Sequence, residues 1–221
     1  LVEPGVIPEI PLGLDDVAQG IEEQDGKLIG EALVTARGTQ AGVNELMSSV
    51  GGGDEVVNIS PIYWSARRYA RSMNRILTPV DNVMRNSRVL ARRAEIMVGD
   101  GVEPDPELTR LIRDLSDALG HLGTLYASGG TRGTRRELVE IPEITRRLQV
   151  LAGRADMSVA DGAGLSGTVV LAQCRSIIVD TLQICGMSRE SAMSVLQPTV
   201  EDPRFPPEVW DGDDRGCPRT T

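Results

Sequence analysis

Apolar side chains recur with a period of 3.6 over long segments, and this constrains the fold more than any other feature of the chain. Val80, Val83, Met84, Ser87, Leu90, Ala91, Ala94 and Val98 form one stripe of a helix. Leu108, Leu111, Ile112, Leu115, Ala118, Leu119, Leu122 and Leu125 form another. Leu28, Ala32, Leu33, Ala36, Val43, Leu46 and Met47 repeat the pattern nearer the start. Each stripe is a face that needs a partner, and several such faces in one chain imply helices packed on helices. Aromatic residues are 3% of the chain, so the core is built from aliphatic side chains and methionine, which favours helix over strand. The expected fold is all-α: an antiparallel helical bundle around one long, proline-kinked helix.

Local signals place the elements. Residues 1–13 carry Pro4, Pro8 and Pro11 and read as an extended lead-in. The bundle is expected over residues 14–197. Asp15 or Asp16 is placed to cap a first short helix, and a second runs from Lys27 to Val50, ended by Gly51-Gly52-Gly53. Ser60-Pro61 is a hydroxyl cap followed by a proline suited to the first helical turn. The long helix it opens runs to Val98, with a kink or short break expected at Pro79. Further helices are expected over Asp105–Ala127, over Thr134–Ala155 with Pro142 marking an interruption or a new first turn, and over Leu165–Cys185. Ser188 is placed to cap a last one, to Gln197. Residues 198–221, rich in proline and charge, read as a tail.

Several function classes find no support. A net charge of −9 argues against nucleic acid as the main partner, since phosphate recognition needs clustered cations. Gly162-Ala163-Gly164 lacks the preceding strand and the Gly-Lys-Ser/Thr ending of a phosphate loop. His121 is the single histidine, and the cysteines stand alone at 174, 185 and 217, so neither a metal site nor a disulfide framework is expected. Cys174 and Cys185 read as small core residues in a reducing compartment. No motif calls for a cofactor, and an enzyme is the least favoured class. Gln173, Arg175, Asp180 and Gln183 interrupt the most apolar stretch, so no bilayer-crossing span is expected. The chain begins at Leu1, as a segment of a longer polypeptide would.

Charge is distributed unevenly. Residues 1–60 hold eleven acids against two bases, whereas residues 61–98 hold eight arginines against Asp81 and Glu95. Either the acidic arm packs on the basic helix, or the basic helix faces a membrane surface or an anionic ligand. Asn82, Arg85 and Asn86 share one helix face, and Asp81 is spaced to pair with Arg85. Asparagine is a poor helix former, so two of them just after a proline point to a specific polar role. The apolar helix 165–185 carries its own set, Gln173, Arg175 and Asp180. Buried polar groups need partners, so the two sets are expected to meet in one cluster, as a structural network or a ligand site.

The segments ISPIYW, TPVDNVMRNSRVLARRA and VVLAQCRSIIVDTLQICGMS resemble the soluble C-terminal region of bacterial FUSC-type membrane proteins, the fusaric acid resistance or aromatic acid exporter-like group. ALVTARGTQAGVNEL fits the segment that follows the membrane helices in such proteins, and the resemblance covers Asp15 to Pro198. It implies a helical domain on the cytoplasmic face of the cell membrane, serving assembly or regulation of transport. Its partner would be the transmembrane region of the same polypeptide, with homo-oligomerisation left open. The family's membrane helices are missing from this sequence, so no substrate-pathway residue carries over. A free-standing helical regulatory or binding protein is the alternative.

Overall fold

The computed structural model describes residues 13–38, 64–127 and 135–200. The extended lead-in up to residue 12, the Ser60-Pro61 start signal, the second half of the Lys27–Val50 helix and most of the proline-rich tail lie outside the described residues. Within them the fold is all-α. The helices are α1 (Leu14–Glu22), α2 (Gly26–Gly38), α3 (Trp64–Gly99), α4 (Pro106–Ala127), α5 (Arg135–Arg154), α6 (Gly164–Ile184) and α7 (Arg189–Ser194). A 3₁₀ turn at Met157–Ala160 lies between α5 and α6.

Helix starts follow backbone chemistry. Gly13, not an aspartate, caps α1; it sits in the left-handed region at φ 62°, and its carbonyl accepts from Val17 N–H at 2.9 Å. Asp15 and Asp16 occupy the first turn instead, where a negative charge interacts favourably with the helix dipole. Asp25 caps α2, its Oδ1 accepting from the N–H groups of Lys27 and Leu28 at 2.9 and 3.1 Å. Ser188 caps α7 as expected, accepting from Ser191 N–H at 3.1 Å.

Neither internal proline breaks its helix. α3 runs unbroken through Pro79, which is buried, and α5 runs through Pro142. Each proline costs its helix one backbone donor. Tertiary packing on both sides of Pro79 outweighs that loss: Ile76, Leu77, Val80, Val83 and Met84 are all buried.

Neighbouring helices run antiparallel. Asn82 and Asn86 of α3 reach Asp180 near the end of α6, while Gly167 at its start faces Met97 near the end of α3. α5 opposes α4 through His121–Glu140 at one end and Arg154–Glu107 at the other. Packing proceeds from α3 to α6, α5, α4, α1, α2 and back to α3, closing a ring, with α3 and α6 the most extensively packed pair. The α1–α2 hairpin closes because residue 20 is glycine: a Cβ there would lie 2.5 Å from Ile29 Cγ1. One continuous apolar cluster fills the interior. All eight residues of the Val80–Val98 stripe are buried.

α6 is, by length and composition, apolar enough to cross a membrane, contrary to the expectation from its four polar interruptions. Its place in the fold accounts for that composition: eleven of its residues are buried against neighbouring helices. Ser87 and Thr181 are fully buried too, and their hydroxyls donate to the carbonyls of Val83 and Ile177 one turn back.

Candidate functional site: an amide-caged carboxylate between two helices

Asn82 and Asn86 lie one turn apart on α3, on the edge that meets α6. Asp180 stands opposite them and is 7% exposed. Asn82 Nδ2 donates to Asp180 Oδ1 and Asn86 Nδ2 to Oδ2, each at 3.2 Å. Gln183, one turn further along α6, donates from Nε2 to Asp180 Oδ1 at 3.4 Å. The carboxylate is thus held by neutral amides, and among the described residues it forms no ion pair. Burial raises the Asp180 pKa above the usual carboxylate value; donation from Asn82, the charge of Arg189 at the start of α7, and donation from Asn86 oppose the rise.

The cluster expected from sequence assembles only in part. Asn82, Asn86 and Asp180 come together. Arg85 does not join them: it is exposed, and its Nε donates to Asp81 at 2.7 Å in an i,i+4 pair whose carboxylate is largely covered. Arg175 lies five residues before Asp180, about 140° away around the helix. It leaves the cage for the other side of α6, where it donates to the carbonyls of Ala155 and Gln197. Burial lowers the Arg175 pKa, against the attraction of Asp156. Gln173 is half-buried and, among the described residues, makes no hydrogen bond to the cage. Sequence reasoning missed Gln183 as a member, although its i+3 spacing from Asp180 was a usable signal.

Other polar groups occupy the far side of the bundle. Arg154 bridges Glu107 at 2.7 Å and Asp114 at 2.6 Å, tying the end of α5 to the start of α4. It borders a groove of about 430 Å³ lined by Asp114, Asp117, Glu143, Arg146 and Arg147. His121 is half-buried and 3.0 Å from Glu140. Burial pushes the Cys174 thiol up to about 12 and the Cys185 thiol to about 11, so both are poor nucleophiles near neutrality. Among the described residues no three His, Cys, Asp or Glu side chains converge to hold a metal ion. The cage can lock α3 to α6, exchange a proton at Asp180, or present amide groups to a polar ligand.

An uncharacterized protein of Corynebacterium glutamicum is 44% identical over 201 residues, which is 91% of this chain and 51% of the relative. The chain therefore spans about half the length of this curated relative. No family model matches the chain, and no solved structure matches it.

Proposed function

We propose that the chain is the cytoplasmic helical domain of a FUSC-type membrane transport protein, in which it serves assembly or regulation of the membrane region. The observation that carries this reading is the meeting of two of the segments on which the resemblance rests. TPVDNVMRN lies on α3 and AQCRSIIVDTLQ on α6, and their polar residues Asn82, Asn86 and Asp180 form one contact at the central helix pair. Contact between two resembling segments is what a shared structural unit would require. The length of the relative supports the same reading, since it leaves room for a second region about as long as this chain.

On this reading the partner is the transmembrane region of the same polypeptide, and the working site is the cytoplasmic face of the cell membrane. The test is fractionation of the complete gene product. The protein should stay in the membrane pellet after an alkaline carbonate wash, and its reading frame should encode several apolar runs of about 20 residues outside the present sequence. Recovery in the soluble fraction would favour instead a free-standing binding module, a reading that draws on the charged groove between α4 and α5.

A further inference from the structure

We infer that the outward face of α3 is a docking surface for an anionic lipid bilayer. α3 contacts α6 along the edge that carries Asn82 and Asn86, and α2 along the edge near Glu95 and Val98. The arc between those edges faces solvent. Arg85, Val89, Arg92 and Ile96 follow one another along it at spacings of four, three and four residues, so they form a single stripe. Val89 and Ile96 are 38% and 40% exposed and stand between the arginines of the stripe. Arg88 and Arg93 flank the stripe, Arg75 reaches toward Gly186 at the α6 edge, and among the described residues none of these three, nor Arg92, forms an ion pair. Asp81 is the acid inside the arc and is paired to Arg85; Glu95 lies at its edge.

This concentration of positive charge stands on a chain of net charge −9, so its position on one face is not a consequence of composition. The shape selects the partner. Grooves of about 430 and 500 Å³ lie between other helices, whereas the stripe is a convex helix surface. A convex face cannot enclose a small anion, but it lies readily against an extended one. From Arg85 to Ile96 it runs about 16 Å. Guanidinium groups on long stems engage lipid phosphates while short aliphatic chains between them enter the headgroup boundary. The inference deepens the membrane-protein reading and shares its context, but its test is independent of it.

The experiment is co-sedimentation of the full 221-residue chain with vesicles of phosphatidylcholine alone, or of phosphatidylcholine with 30 mol% phosphatidylglycerol. The chain should sediment with the anionic vesicles only, and less as salt is raised. The triple variant Arg88→Gln/Arg92→Gln/Arg93→Gln should partition about 100-fold more weakly, at about fivefold per arginine. Val89→Ser/Ile96→Ser should also weaken binding, which a purely ionic contact would not show. The control Arg146→Gln/Arg147→Gln on α5 should bind as the wild type does. Circular dichroism should show all three variants folded, since the residues changed lie on the surface or at its edge. Equal binding to both vesicles, no binding to either, or equal loss in the control would overturn the inference. So would unchanged vesicle binding by Val89→Ser/Ile96→Ser, which would mark the face as a purely ionic site such as an acidic protein occupies. If the complete gene product proves soluble while vesicle binding persists, the membrane-protein reading fails and the lipid surface stands.

Discussion

Removing one amide from the Asp180 cage tests whether it holds α3 to α6. In Asn86→Ala the Oδ2 atom of Asp180 loses its donor, and Asp180 is too buried for water to replace that donor fully. Hydrogen bonds to charged groups contribute about 1.5–3 kcal/mol. The 3.2 Å separation lies at the long end of the normal N–H···O range, so the lower figure, about 1.5 kcal/mol, is expected. Asp180→Ala removes the acceptor of the same bond, so the two losses overlap. Urea unfolding followed by far-UV circular dichroism should give a coupling of about 1 kcal/mol or more between Asn86→Ala and Asp180→Ala. Arg85 supplies the internal control. It faces Asp81 and solvent, so Arg85→Ala with Asp180→Ala should be additive to within about 0.5 kcal/mol. Additivity of the Asn86–Asp180 pair, or strong coupling of the Arg85–Asp180 pair, would refute the assignment of partners.

Leu90 is fully buried in the α3 stripe, so Leu90→Ala should cost about 2–5 kcal/mol in the same assay, and a loss below about 0.5 kcal/mol would contradict a core position. Burial raises the Asp180 pKa, so the folded state binds this proton more tightly than the unfolded state. Its contribution to stability therefore rises as pH falls from the raised folded value toward the ordinary carboxylate value. Over that window the wild type should gain on Asp180→Asn, and parallel pH profiles would show that this carboxylate does not titrate there. With its thiol pushed up to about 12 and its side chain enclosed, Cys174 should resist a thiol reagent at pH 8 until urea unfolds the chain; rapid labelling of the folded Cys174 would contradict the core placement.

The apolar stripes are legible in the sequence because helix periodicity and burial are linked locally. A face repeating every 3.6 residues is either buried or costly, and the Val80–Val98 and Leu108–Leu125 stripes are buried apart from Leu119, which packs at the edge of the core. Asn82 and Asn86 are legible as a pair for the same reason, since residues four apart share a face. The prolines show the limit of local reasoning. Pro79 and Pro142 remove backbone donors, yet the buried residues around Pro79 hold α3 continuous. Choice of partner is not local at all. Asp180 and Arg175 sit on the same helix, but about 140° of azimuth sends one to α3 and the other to the chain beyond α5 and α7. Arg85 took Asp81, one turn away on its own helix, where its guanidinium stays exposed. Sequence alone decided which faces of the helices turn inward, whereas the order of helices around the ring decided which buried polar groups meet, because that order brings together residues nearly a hundred positions apart.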